Sequence, residues 1–213
     1  MSLFAPAMRS LMLLPAAVWV QQMLPCASAS EPLADGPVAA WGDSLTLGWG
    51  AAPGEDYPAI ASSLFSPLRP VENHGIGGQT STQIAARMGA LPLAATLADG
   101  SVPADGPVRV QALTINVVLD TALGRAQVEG TLCGIRGILA TSPQRVTFIR
   151  GAPGMPTSCP AASPFVPDAD AATRTGTVWL WLGRNGADQG HTIEADVAAA
   201  VGWLGHDRYL VAS

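Results

Sequence analysis

Charge is scarce in this chain. Only 13% of its 213 residues are charged, and 16 acidic against 11 basic side chains leave a formal net charge of -5. With a pI near 5.0 the protein carries no basic field. That excludes nucleic acid as a natural partner and disfavours anionic membrane surfaces. Cysteine is scarcer still, with three residues. Two of them, Cys133 and Cys159, lie beyond residue 30, too few for a zinc centre without histidines, and no histidine stands at ligand spacing from them. Long apolar runs are missing too. The stretch 11–24 is broken by Gln21 and Gln22 and is short for a membrane span. The chain is rich instead in glycine (23), proline (18) and hydrophobic residues (48%). That composition suits a loop-rich α/β protein of one globular domain, or one domain carrying an insertion.

The first thirty residues read as a targeting segment. Arg9 opens it, the apolar stretch follows, and Ala27-Ser28-Ala29 has the small-x-small pattern of a cleavage point. The expectation is a signal peptide over 1–29, a secreted or periplasmic protein, and no stable membrane span once the signal is removed. Cys26 leaves with the signal. Pro25 and Leu24 before it suit lipoprotein processing poorly. The remaining pair, Cys133 and Cys159, can form one disulfide or stay as two buried thiols.

The rest of the chain divides in two. Residues 30–92 and 174–213 carry an α/β pattern. A strand is expected over 37–41, followed by a helix with Tyr57, Ile60, Ala61, Leu64 and Phe65 at i, i+3, i+4, i+7 and i+8. A short strand follows at 71–73, then a helix over 80–91 capped by Thr80 or Ser81, with Ile84, Ala85, Met88 and Leu91 on its buried face. The apolar run 177–182 reads as a strand buried on both faces. A helix is expected from Thr192, with Ile193, Val197, Val201 and Leu204 in register and Gly205 at its end, and a strand at 208–212. Residues 93–173 differ. Their β-branched runs are separated by Gly, Pro and Ser and lack helical spacing, the pattern of an inserted β-rich module.

Three loops follow three of the expected strands at one end of a parallel sheet, where ligands bind in such folds. The first, Gly42-Asp43-Ser44-Leu45-Thr46, offers a hydroxyl on a tight turn. The second, Asn73-His74-Gly75-Ile76-Gly77-Gly78-Gln79-Thr80, offers backbone amides without side-chain bulk at a helix start. The third, Gly183-Arg184-Asn185, offers a carboxamide donor. A serine facing amide donors is what acyl transfer requires: the hydroxyl attacks and the donors hold the oxyanion.

In these blocks the chain resembles the SGNH, or GDSL-type, hydrolase family. The resemblance covers 37–92 and 174–213. It implies a flavodoxin-like three-layer α/β/α sandwich around a parallel sheet, with Ser44 as nucleophile. It also implies an oxyanion hole from the amides of Ser44 and Gly78 and the side chain of Asn185. No cofactor and no metal are implied. The sequence departs from the family pattern in three places. Gly186 stands where the family has Asp, the segment between the second and third blocks is long, and the C-terminal Asp-x-x-His that supplies base and orienting carboxylate is absent. The chain is accordingly expected to be incomplete at its C-terminus. His74, His191 and His206 read as exposed or capping residues, Asp43 as a turn stabiliser, Trp179 and Trp181 as core, and Trp49 as a candidate wall of a substrate cleft.

Two functions follow. One is a secreted serine ester hydrolase acting through an acyl-enzyme on Ser44, with a small acyl ester or an O-acylated carbohydrate as substrate. The other is a non-catalytic glycan-binding protein on a relic hydrolase scaffold, or an inactive fragment.

Overall fold

A buried strand starts the described part of the molecule, and its burial explains its composition. The computed structural model describes residues 36–121, 124–142, 145–186 and 190–212; the expected signal peptide lies outside them. In β1 (Val38–Gly42) all five residues are buried, which small Ala39 and Ala40 permit on both faces. Two helices follow, α1 (Ser44–Leu47) and α2 (Tyr57–Leu64), then β2 (Val71–Gly75) and α3 (Ser81–Met88). Thr80 caps α3 in a capping box: its hydroxyl accepts from the Gln83 amide while the Gln83 side chain accepts from the Thr80 amide.

The chain then builds a barrel. Its strands are β3 (Ala94–Leu97), β5 (Pro107–Leu113), β8 (Gln127–Leu132), β9 (Ile135–Ser142), β10 (Arg145–Arg150) and β12 (Ser163–Pro167). Every pairing is antiparallel, and the order β10-β5-β3-β12-β8-β9 closes on itself. Short ladders β4 (Ser101–Val102) with β11 (Thr157–Ser158), and β6 (Asp120–Thr121) with β7 (Gly124–Arg125), decorate it. The barrel's interior is aliphatic with two phenylalanines, Phe148 and Phe165, packed edge to face at 6.4 Å. Glycines make room for them. A Cβ on Gly130 would come within 2.5 Å of Phe165 Cζ, and one on Gly137 within 2.5 Å of Phe148 Cζ. Cys133 and Cys159 are joined in a disulfide that closes a separation of 26 residues. In the chain-entropy view such a bond contributes roughly 3 kcal/mol.

After the barrel come α4 (Ala171–Thr175), β13 (Thr177–Trp181), α5 (Gly190–Leu204) and β14 (Tyr209–Ala212). They return to β1 and β2 in a four-stranded all-parallel sheet, order β14-β13-β1-β2. One face of this sheet is covered by α3 and α5, whose Ile84, Met88, Ala200 and Leu204 pack on Ala39, Trp41, Val178, Leu180 and Leu182. Buried Asp196 of α5 ties the two helices, accepting from Ser81 Oγ at 2.6 Å and Thr82 Oγ1 at 2.7 Å. Among the described residues the opposite face carries α2 and the residue that ends it, with Tyr57 and Phe65 against Trp179 and Trp181.

The expected three-layer α/β/α sandwich of the SGNH hydrolase type is therefore not what this chain forms. Strand outweighs helix, 36% to 24%, and the closed antiparallel barrel sets the architecture. The misreading has a physical source. The parallel strands alternate with helices and so read as α/β, but the barrel contributes more strands than the sheet. The second helical layer is also thin. Ile60 is 47% exposed and Leu64 78%, so the periodicity of α2 does not mark a buried face as expected. Trp179 and Trp181 are half-buried rather than core.

Candidate active site

Ser44 begins α1 directly beyond the carboxyl end of the central strand β1. Two neighbours flank β1, and the chain reaches them in opposite directions, β2 through α2 and β13 through the barrel. That is the switch point at which parallel sheets open a crevice. The turn is tight by necessity. A Cβ on Gly42 would overlap Thr46 Oγ1, and one on Gly75 would overlap the Leu47 amide. The two loops are then laced together: Asn73 Nδ2 donates to Thr46 O at 2.7 Å, Gly75 N to Asn73 Oδ1 at 2.9 Å, and Ile76 N to Gly42 O at 3.1 Å.

Asp43 is the N-cap of α1, its Oδ1 accepting from Leu45 N at 3.0 Å. It is 1% exposed. Burial raises its pKa above the usual carboxylate value, while the Leu45 amide and the charge of Arg184 act to lower it. Its second oxygen accepts from Asn185 Nδ2 at 3.3 Å, and the same nitrogen donates to Gln79 O at 2.9 Å. Asp43, the third loop and the Gly-rich loop are thus joined through one carboxamide.

Gly78 sits in the left-handed region at φ +81°, where glycine is favoured. A Cβ there would find only Thr121 Cγ2 and Leu119 Cδ1, at 3.6 and 3.7 Å. The segment that follows β5 therefore roofs this loop. Two amides anchor the roof: Gln79 Nε2 donates to Val117 O at 2.7 Å and Gln83 Nε2 to Asn116 O at 2.6 Å. Among the described residues the backbone amides of Ser44 and Gly78 have no protein acceptor. Ser44, Gly78 and Asn185 come from three separate loops, and each lies on a loop bonded to the next.

No described side chain hydrogen-bonds Ser44 Oγ as a base would. His191 is exposed on the first turn of α5. His206 reaches Thr173 O at 3.4 Å. Trp49 is 63% exposed, just past the Ser44 turn. His74 departs most from the sequence expectation of an exposed or capping residue. Its ring stacks on Trp41 at 4.6 Å and 13°, and Nε2 stands 3.1 Å from Asp170 Oδ2 and 3.5 Å from Glu72 Oε2. Arg87 lies over the other part of this stack, 4.5 Å from the Trp41 ring, donating to Gln79 Oε1 and His74 O. Burial pulls Arg87 down to about 9, so it stays charged at neutral pH. Trp41, His74, Arg87 and Asp170 border a crevice of about 770 Å³ between sheet and barrel, with Arg136, Asp168 and Arg174 across it.

No family model matches the chain, and no curated protein and no solved structure does either. The site stands on its geometry. One half of it was open to sequence reading, since Glu72-x-His74 on a strand puts both side chains on one face. Asp170, 96 positions further on, had no such signal.

Proposed function

We propose that the protein is a serine ester hydrolase in which Ser44 accepts the acyl group of a small acyl ester or an O-acylated carbohydrate. The observation that carries this reading is the set of donors around one hydroxyl's loop. Among the described residues the Ser44 and Gly78 amides have no protein acceptor, and Asn185 is held beside them by Asp43 and the Gln79 carbonyl. The two backbone amides are fixed before reaction and meet a developing oxyanion without reorganising. In the first step Ser44 Oγ bonds the ester carbonyl carbon and the alcohol leaves with a proton. In the second, water releases the acid and restores the hydroxyl. Asn185 gives up its longer contact, the 3.3 Å one to Asp43, to reach the oxyanion. The segment after β5 that lies over Gly78 narrows the approach, which favours a small acyl group. Export by way of residues 1–29 would expose the enzyme to extracellular O-acylated glycans.

The proton from Ser44 needs an acceptor, and none of the described side chains offers one. Solution imidazole replaces it in the test. The protein is treated with p-nitrophenyl acetate and imidazole, digested, and the Ser44 peptide weighed. An acetyl group on Ser44 is expected, absent in Ser44→Ala and formed about 10²- to 10³-fold more slowly in Asn185→Ala. A Ser44 peptide that stays unmodified while other hydroxyls acetylate overturns the proposal.

A further inference from the structure

Glu72, His74 and Asp170 are the one group of three such side chains, among the described residues, whose ligand atoms all lie within 4.8 Å of one another. We propose that they form a binding site for a divalent transition cation such as Zn²⁺, separate from the Ser44 site and independent of its chemistry.

Spacing is the first argument. Ligand atoms about 2.0–2.2 Å from a tetrahedral zinc are about 3.3 Å from each other. His74 Nε2 stands 3.1 Å from Asp170 Oδ2 and 3.5 Å from Glu72 Oε2. The second argument is direction. Both carboxylate oxygens lie within hydrogen-bonding distance of Nε2, yet among the described residues this buried nitrogen has no well-directed hydrogen bond. The third is charge: two carboxylates, Glu72 and Asp170, converge on one imidazole nitrogen, an acidic ligand set that suits a cation.

The ligands are also held in place. Asp170 Oδ1 is fixed as the N-cap of α4 by Thr173 N at 2.6 Å, which leaves Oδ2 for the metal. Trp41 fixes the plane of the His74 ring. Glu72 shares a strand face with His74 two residues on. Three protein ligands leave a fourth position for water or an oxygen ligand. His74 and Asp170 both line the crevice between sheet and barrel, so a bound ion would stand at its wall.

The test uses the untagged full chain, stripped with EDTA and titrated with Co²⁺ and Zn²⁺. One equivalent of Co²⁺ should give the visible absorption bands of a low-symmetry site, and excess Zn²⁺ should abolish them. Glu72→Gln keeps the shape of an exposed side chain, and Asp170→Asn keeps a cap acceptor. Each should weaken Co²⁺ binding by at least about tenfold. His206→Gln should leave it unchanged. Circular dichroism of each variant confirms folding. The proposal fails if folded wild-type protein shows no stoichiometric Co²⁺ band, or if Glu72→Gln and Asp170→Asn both bind as the wild type does.

Discussion

Asp43 shows how one residue serves both fold and site. Its neighbours were readable from the sequence: a carboxylate before a serine at a strand end suggests a turn cap, and it is one. Its second bond, to Asn185 across 142 residues, was not, because nothing local encodes a contact between loops so far apart. The buried carboxylate has a consequence for stability. Its folded pKa is raised, chiefly by burial, above the ordinary 3.8. The folded state therefore holds a proton at pH values where the unfolded chain has lost it. The stabilisation is complete below that ordinary value and is lost as pH rises through the folded pKa. Asp43→Asn keeps the acceptor for Leu45 N and removes the titration. Urea midpoints of wild type and Asp43→Asn between pH 4 and 7 should diverge as pH rises, the wild type losing ground. A difference that stays constant over that range would contradict this account.

At the level of elements, local chemistry was legible where it is local. Thr80 with Gln83 announces the start of α3, and the structure has the full capping box. The β-rich character of the segment after α3 follows from its β-branched runs and missing helical period. Closure of those strands into a barrel does not, since it depends on which edges meet: β3 pairs with nearby β5 on one side and with β12, nearly seventy residues on, on the other. The glycines that permit closure look like turn residues in the sequence, yet Gly130 and Gly137 pair in register inside neighbouring strands. Their role is steric. Gly137→Ala would press a methyl group onto the Phe148 ring and the Ile149 carbonyl in a filled core. Overpacking of this kind costs about 1–3 kcal/mol. Chemical denaturation of Gly137→Ala should show that loss, with barrel strand content retained by circular dichroism. An unchanged midpoint would mean that the aromatic pair has room to move.

At the scale of the whole molecule, the parallel sheet is unevenly dressed. One face meets α3 and α5; among the described residues the other meets α2 and keeps an apolar groove of about 410 Å³ lined by Tyr57, Trp179, Trp181 and Leu210. The continuous apolar run of β13 suggested burial on both sides, because periodicity reports what a strand can bury and not what lies on it. The same groove borders β14, the outermost described strand of the sheet, where Leu210 is 58% and Val211 45% exposed. An apolar face beside an unpaired strand edge is the usual starting point of edge-to-edge association. Natural edges prevent this with an inward or outward charge, and β14 (Tyr209–Ala212) has none. Leu210 lies opposite Trp179, at the centre of the groove. Leu210→Lys places a charge there while its methylenes still cover the indole. Sedimentation velocity across the micromolar range should show the wild type shifting to larger species with concentration and Leu210→Lys remaining monomeric. If the wild type sediments as a monomer throughout, the exposed face is tolerated by the charge around it and the edge carries no such liability.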